Sequence, residues 1–429
     1  MRIRGVLGCL VAATLAPSAV GAEELPSPLS LPALLDAVRT RSPLLTEARH
    51  MARASSARPR AQGQPDDPML SVDWWQQPVD FRDVPIMISA RQPLPWLDKL
   101  AARRQLAERQ AIVVHEQLAD VALRLDGEVV RTFFELVLAD ELLAINERMH
   151  HLLEAMATTA EARYRAGRTT QAEVLKAQSE LLTLDNDRLD LQRGREEAVA
   201  RLNSLLDRPS EAPLPPLAVE HPTGVPMTLA QAMARGLEQR PELRVGAASI
   251  AEAETRVRVA RFENRPELAI SAGYMINVRG TDSFTVGLST TLPIFSSRRR
   301  SAMVESEEAE VRARRAAVQA ARRRIEQEIR VAFLRIDAAE RHERLHSDRL
   351  IPLAELALKA AEAAYQNDRI GFLAVLDAAR MLREHHLNHA QYHVEYQRRL
   401  VELELAVGSF AARDASSRST RATREEVSP

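Results

Sequence analysis

The spacing of apolar residues along the chain alternates between a helical period and a strand period. Apolar positions three or four residues apart predict a helix from Ser30 to about Gln64, with Ser30 as a candidate cap and Pro43 dividing it. Alternating apolar and polar residues then predict two short strands, at about 67–77 and 84–94. The two strands share one apolar face, and we expect them to form a hairpin.

The helical period returns after Pro95, and no proline follows until Pro209. The pattern predicts a helix from Asp98 to Arg165, which at about 1.5 Å per residue reaches on the order of 100 Å. After a tip at about 165–171, a second helix returns to about Leu206. Apolar residues on the first helix follow the spacing of a coiled-coil seam: Leu118, Val121, Leu125, Val129, Phe133 and Leu136.

The second half of the chain repeats the first, so residues 23–208 and 228–410 are two copies of one structural unit. Three prolines recur 198 residues later in one ungapped register, as Pro43/Pro241, Pro68/Pro266 and Pro95/Pro293. The strands recur at about 266–277 and 283–292 with the same face apolar, and the second tip falls at about 366–372. A proline-rich linker over 209–227 joins the copies.

Some features of the second copy are its own. Thr228 and Gln231 form a capping-box pattern that opens its first helix. Pro352 should bend the long helix that begins at Ser297. The last helix is predicted from Phe372 to about Phe410, followed by a disordered tail over 411–429.

The N-terminus has the pattern of a secretory signal peptide over residues 1–22. Basic residues, an apolar run and small residues before a cleavage site after Ala22 follow one another in that order. Cys9, the one cysteine, leaves lipoprotein cleavage open as an alternative. Cleavage after Ala22 gives a mature chain without cysteine, and such a chain needs no disulfide.

Composition narrows the class of partner. The net charge is −1, with 27% charged and 4% aromatic residues, so the chain carries no basic field for nucleic acid. No stretch offers about 20 consecutive apolar residues, which excludes a membrane-spanning helix but not membrane strands. Four strands cannot close a barrel, and lipid forbids open sheet edges. If the strands enter a membrane, several chains must therefore form one barrel together.

Two related breaks between long helices carry a family resemblance. One is Tyr164-Arg165-Ala166-Gly167-Arg168, and the other begins at Tyr365 and continues through Val375-Leu376-Asp377-Ala378. Together with the duplicated layout, the proline-bounded hairpins and the segment Gln92-Pro93-Leu94-Pro95-Trp96-Leu97-Asp98-Lys99, they make the sequence similar to the TolC-like outer membrane efflux channel family. The resemblance covers nearly all of the mature chain and is strongest to members that serve heavy-metal pumps of the resistance-nodulation-division (RND) type.

The resemblance implies a fold and an assembly. The fold is mostly α with a small β part, and three chains form a twelve-stranded β-barrel in the outer membrane, continued by a long α-helical barrel in the periplasm. The resemblance implies that the chain assembles as a homotrimer. Its implied partners are outer membrane lipid, a periplasmic adaptor and an inner-membrane RND-type pump. Alternatives remain a type I protein-secretion duct, a drug-efflux duct, and a soluble periplasmic coiled-coil adaptor.

The resemblance also implies roles for the two tips. The first tip, with Tyr164, Arg165, Gly167 and Arg168, would contact the adaptor. The second tip, with Tyr365, Asp368 and Asp377, would form the pore gate.

In three chains, Asp377 would form an anionic ring that attracts cations. The chain departs from the family at Ala374, where a second aspartate can stand, and at Ile370, where some members carry an arginine gating contact.

Other candidate residues follow from residue type and spacing. His385, His389 and His393 recur every four residues and are weak candidates for a metal site, against the simpler reading of a polar helix face. Trp74, Trp75 and Trp96 lie near strand ends, where indole rings favour a membrane interface. Basic residues follow the second strand of each half and suggest a collar near the periplasmic rim of the barrel, although solvated helix starts would show the same pattern: Lys99, Arg103 and Arg104, with Arg298, Arg299 and Arg300. The sequence contains no phosphate loop, zinc-protease motif or cysteine nucleophile, and we expect neither enzymatic activity nor a cofactor.

Overall fold

A computed structural model describes residues 25–74, 86–219, 227–263, 265–277, 281–291 and 297–407. The predicted signal peptide, Cys9, Trp75 and the predicted tail over 411–429 lie outside these residues, as do parts of the linker and of the hairpin loops.

The first repeat follows the predicted order of elements. Two short helices come first, α1 (Leu31–Arg41) and α2 (Pro43–Gln62), with Pro43 at the start of the second, where its missing N–H costs nothing. The strands β2 (Met69–Trp74) and β3 (Ile86–Leu94) precede the long helices α3 (Leu97–Arg165) and α4 (Gln171–Leu205). Ser30 holds the N-cap position of α1, as predicted, but its side chain makes no cap hydrogen bond.

The second repeat has the same order with one added feature. The helices α5 (Leu229–Gln239) and α6 (Pro241–Phe262), the strands β5 (Leu268–Ile276) and β6 (Ser283–Thr290) and the helix α7 (Ser297–Leu345) match the first copy. The capping box of Thr228 and Gln231 is present. A π-helical turn, His346–Leu350, then stands directly before Pro352, and α8 (Ile351–Gln366) and α9 (Phe372–Val407) complete the unit.

A short parallel pair ties the linker to the start of the chain. The strand β1 (Leu29–Ser30) pairs with β4 (Leu217–Ala218), so part of the predicted linker is ordered against the first repeat. Sequence patterning gave no indication of these strands because each has only two residues.

The two hairpins join into one antiparallel sheet of order β2-β3-β5-β6. Strands β3 and β5 form the contact between the repeats, in a register that places Ile86 opposite Ile276 and Leu94 opposite Leu268. Within the described residues, β2 and β6 each have a strand on one side only. The sheet therefore ends in two open edges.

The sheet has one apolar and one polar face, which confirms the predicted parity of the strands. Residues directly opposite each other share a face, and the pairs Val72/Ile88, Ile88/Tyr274 and Tyr274/Phe284 run across all four strands. Apolar side chains on this face are exposed, with Leu70 at 72% and Leu288 at 75%. On the other face, the hydroxyl groups of Ser71 and Ser89 lie 2.7 Å apart.

Apolar residues are buried along the helices in several separate clusters, and not in one compact core. The predicted seam of α3 is buried at Leu125, Val129, Phe133 and Leu136, where it packs against α1, α4 and α9. A second cluster lies near the tips and includes Tyr365 and Phe372. In the described residues, no helix is both long enough and apolar enough to cross a bilayer.

Candidate functional site at the helical tips

Both tips have the same backbone structure. In the first, the amide of Arg168 donates to the carbonyl of Arg163 (2.9 Å), and the amide of Gly167 donates to the carbonyl of Tyr164 (2.9 Å). In the second, Arg369 donates to Ala364 (2.9 Å) and Asp368 to Tyr365 (3.1 Å). These paired bonds define a Schellman motif, which satisfies the last carbonyls of a helix.

One position in each motif must adopt a left-handed conformation. The first tip places Gly167 there, with φ at +71°, and the second places Asp368 there, with φ at +56°. Aspartate tolerates this region because its short side chain can bond locally. The same left-handed position is therefore filled by glycine at the first tip and by aspartate at the second, where the Asp368 carboxylate is available for a contact.

That contact is an arginine of the first tip. Arg163, whose side chain is 15% exposed, forms an ion pair with Asp368 and donates from Nη1 to the carbonyl of Tyr365 at 2.7 Å. Its guanidinium carbon also lies 4.3 Å from the centre of the Tyr365 ring. One cation thus holds the two tips together through an ion pair, a hydrogen bond and a cation–π contact.

A carboxylate of the first tip completes the link. Glu173, in the first turn of α4, lies 3.5 Å from the hydroxyl of Tyr365 and accepts from the amide of Phe372 at 3.4 Å. It also accepts from the hydroxyl of Thr169. Since the Phe372 amide is at the start of α9, the contact places an anion at the positive end of a helix. We call Arg163, Glu173, Tyr365 and Asp368 the inter-tip clamp.

Tyr365 is buried between the tips. It is 6% exposed and packs edge-on against Phe372, with ring centres 5.8 Å apart. Burial and the nearby Glu173 carboxylate raise the pKa of its phenol, so it remains a neutral donor. The predicted gate residue is therefore held inside one chain in this structure.

The predicted adaptor residues have the opposite character. Tyr164 is 44% exposed, although it holds the same repeat position as Tyr365. Arg165 is exposed, and among the described residues its one ion-pair partner is Glu161 of its own helix, at 2.6 Å. Arg168 has no side-chain hydrogen bond or ion pair to any part of the chain that the structure describes. The first tip presents an exposed Tyr164 ring and two cations around Gly167, of which Arg165 is paired within its own helix.

Asp377 lies one and a half turns beyond the second tip. Its side chain is 62% exposed, and its nearest cation is Arg380, at 3.7 Å. Arg380 is engaged with Glu180 of α4, and Arg383 pairs with Asp187 of the same helix. Asp377 itself stands on the exposed side of these inter-helix pairs.

The three predicted histidines do not bring their ring nitrogens together in this structure, and their role in metal binding stays a prediction. His393 contacts Glu343 at 2.7 Å and Gln397 at 2.8 Å, and His389 stacks on His393. His385 instead packs against His346 of the π turn, with ring centres 5.4 Å apart. Burial and neighbouring histidines lower the pKa of His346. Across the described ranges, the one group of three ligands that could hold a metal ion lies elsewhere, at His150, His151 and Glu154.

The predicted basic collar is wrong at Lys99. Lys99 is 1% exposed, and its ammonium contacts Glu263 at 2.6 Å and Glu267 at 2.7 Å. Arg103 pairs with Glu263 as well, at 2.9 Å. Burial raises the pKa of Glu263, but hydrogen bonds from Lys99 and Arg103 outweigh it and lower the net pKa. We call Lys99, Arg103, Glu263 and Glu267 the junction cluster, because it joins the start of α3 to the end of α6 beside the sheet.

Two of the three predicted interface tryptophans are described. Trp74 ends β2 and is 71% exposed. Trp96 precedes α3, is 40% exposed, and donates from its indole nitrogen to the carbonyl of Pro266 at 2.7 Å. Trp74 is therefore the last residue of an edge strand and Trp96 lies next to the sheet, and both residues are exposed.

The clamp residues Arg163 and Glu173 were missed at the sequence level. Between the tips the repeat offset is 201, which aligns Arg163 with Ala364 and Glu173 with Ala374. When the two repeats are aligned, a charged residue in the first copy at a position where the second has alanine is the signal that could have identified them. The asymmetry indicates that both charges serve the other tip, because the second copy forms the same turn with alanine at both positions.

Comparison with known proteins agrees with this architecture. The family model described as outer membrane efflux protein matches residues 34–208 and 233–409, which is most of the chain and both repeats. The chain belongs to the outer membrane efflux protein family. The resemblance to outer membrane efflux channels is thereby confirmed, whereas the likeness to heavy-metal members stays a prediction. The outer membrane, with a large periplasmic part, is the location of this efflux protein.

Solved structures of outer membrane channels share its fold. The outer-membrane channel OprN is 19% identical, with a TM-score of 0.73, and the match covers 88% of this chain and 90% of that one. VceC from Vibrio cholerae is 17% identical, with a TM-score of 0.71 and coverage of 88% and 94%. The open state of the Neisseria gonorrhoeae MtrE channel is 18% identical, with a TM-score of 0.70 and coverage of 88% for both chains. No curated protein sequence matches the efflux protein.

Proposed function

We propose that this efflux protein is the exit duct of a tripartite efflux system, in which three copies form one channel. The observation that carries the proposal is the four-stranded sheet, with an exposed apolar face and two open edges. Lipid does not tolerate unpaired strand edges, and four strands are too few to close. Three copies supply twelve strands, within the range of known outer membrane barrels, and their long helices continue the wall as a tube.

The duct is passive in this proposal. An inner-membrane RND-type pump supplies the energy, a periplasmic adaptor connects the two, and the efflux protein provides a water-filled path. Heavy-metal cations are the proposed cargo, on the resemblance of the segment from Gln92 to Lys99. A type I protein-secretion duct or a drug-efflux duct would use the same fold, and a soluble periplasmic adaptor would not need the exposed apolar sheet face.

Cell fractionation tests the duct against the soluble adaptor. We expect the protein in the outer membrane fraction, extracted only by detergent, because Leu70, Phe284, Val286 and Leu288 expose apolar surface that water disfavours. Recovery in the soluble periplasmic fraction would contradict the proposal.

The exposed first tip is the proposed adaptor contact. Replacing Gly167 with valine should strongly reduce crosslinking to a co-purifying adaptor while the trimer survives. A side chain at φ +71° costs about 1–2 kcal/mol and distorts the turn, yet a Cβ there meets nothing within 4 Å. Gly194→Val is the matched control, since Gly194 lies inside α4 with equally open space. Unchanged crosslinking in Gly167→Val would exclude docking at this tip.

Asp377 is the proposed pore-lining anion. In three chains it would form a ring that concentrates cations. Replacing Asp377 with alanine should lower the cation-to-anion permeability ratio in planar bilayers. Asp190→Ala is the control, because Asp190 is an equally exposed aspartate (66%) on α4. Equal permeability ratios in wild type and Asp377→Ala would remove the ring.

A further inference from the structure

A compact group of metal-ligating side chains stands on the first helical hairpin, away from the inter-tip clamp. His150, His151 and Glu154 of α3 each offer one ligand atom, and these atoms all lie within 4.8 Å of one another. The imidazole of His151 is 3.7 Å from the Glu154 carboxylate. The two imidazole rings stand nearly perpendicular, with centres 6.3 Å apart.

The neighbouring helix contributes a fourth group. Asp185 of α4 places a carboxylate oxygen 3.4 Å from Nε2 of His150. A carboxylate against a ligating histidine fixes the orientation of the ring and raises its basicity, as commonly occurs around bound metals. The arrangement therefore draws on two helices, and neither its histidines nor its acids are used by the clamp.

The donor set selects the class of cation. Two imidazoles and one carboxylate form a common zinc ligand set that leaves one coordination position open, whereas magnesium and calcium prefer oxygen ligands throughout. Zinc–nitrogen bonds are about 2.0–2.1 Å long, so the ligand atoms must move closer together to bind. His151 and Glu154 are 71% and 62% exposed, so little packing opposes a rotation of their side chains toward a common ion.

The histidines of the second repeat lack this freedom. His393 is engaged by both Glu343 and Gln397, and His389 stacks on His393. A metal there would have to displace these contacts. At His150 and His151, the contacts already present are to carboxylates, which either join the metal or support its ligands.

We propose that His150, His151 and Glu154 form a surface site for a zinc-class divalent cation, with Asp185 as the positioning residue of His150. The site lies on the flank of the first hairpin, between the buried seam of α3 and the proposed adaptor tip. The open coordination position is available to water or to a ligand from a docked partner. The site does not depend on the cargo of the duct.

Zinc titration of the purified, untagged trimer by calorimetry tests the site. We expect one zinc ion per chain, with affinity at least about tenfold weaker in the double variant H150A/H151A. The variant H115A is the matched control, because His115 is an exposed histidine of the same helix and lies outside the group. All substituted side chains are wholly or partly exposed, so folding should be retained.

Cobalt provides a second readout. Cobalt(II) substituted at the site should give the visible absorption of a tetrahedral complex in wild type and H115A, and none in H150A/H151A. Absence of zinc binding in the wild type, equal binding in the double variant, or equal loss in H115A would each overturn the proposal.

Discussion

Replacing Arg163 with alanine is expected to raise the conductance of the purified channel in planar bilayers. Within the clamp, Arg163 holds the second tip to the first through the Asp368 carboxylate, the Tyr365 carbonyl and the Tyr365 ring, and Glu173 adds its own contacts to the second tip. Alanine removes all three contacts at once. The tips should then separate more readily, and channels should spend more time in states of high conductance.

The expected size of the effect follows from the burial of each contact. Asp368 is 60% exposed, so its ion pair contributes little. The hydrogen bond from a largely buried guanidinium and the cation–π contact contribute more, and together we expect about 2 kcal/mol per chain. A shift of about 2 kcal/mol changes the ratio of open to closed tips roughly 30-fold.

The control is Arg165→Ala, which removes an exposed arginine of the same helix, paired only within that helix. Its conductance should match the wild type. Equal conductance in Arg163→Ala and wild type, with intact trimers, would show that the clamp does not hold the channel closed.

Removing the two acids of the junction cluster is expected to destabilise the protein more than any surface substitution. In the double variant E263Q/E267Q, the ammonium of Lys99 would stay buried without a carboxylate partner. A buried charge without a partner is costly, because desolvation is no longer offset. The lowered pKa of Glu263 indicates that its carboxylate is ionised at neutral pH, so glutamine at this position removes a negative charge.

We expect the free energy of unfolding to fall by about 3 kcal/mol per chain. This value is at the lower end of the range for breaking a buried ion pair, because Glu267 is 63% exposed. Denaturation followed by tryptophan fluorescence is a suitable measurement, since Trp96 contacts Pro266 beside the cluster. The matched control is E254Q, which breaks an exposed pair between Glu254 and Arg315 and should cost less than about 1 kcal/mol. Equal stability of E263Q/E267Q and E254Q would contradict the role of the cluster.

Repetition made much of the fold predictable from the sequence. The long helix predicted from Asp98 to Arg165 is observed as Leu97–Arg165, because apolar periodicity without proline leaves few alternatives. The strands were predicted with the correct apolar face, since parity is fixed wherever alternation is strict. The short strands β1 and β4 could not be predicted from a two-residue pattern.

The contacts of individual charges could not be predicted, because helical patterns do not specify which helices meet. Lys99 looks like a solvated cation in sequence, yet two acids from the second repeat, more than 160 positions away, surround it. Tyr164 and Tyr365 share one motif and differ in burial, since Arg163 and Glu173 have no counterpart in the second copy. The histidines of α9 are evenly spaced in the sequence, but their side chains contact different neighbours: His393 contacts Glu343, and His385 packs against His346.

The assembly of three chains into one duct is the central claim, and imaging of the purified protein tests it most directly. We propose single-particle cryo-electron microscopy of the detergent-extracted, full-length mature protein. We expect a three-fold symmetric particle in which β6 of each chain pairs with β2 of its neighbour, so that no strand edge is open. A monomer, or a trimer whose β2 and β6 edges remain unpaired, would contradict it.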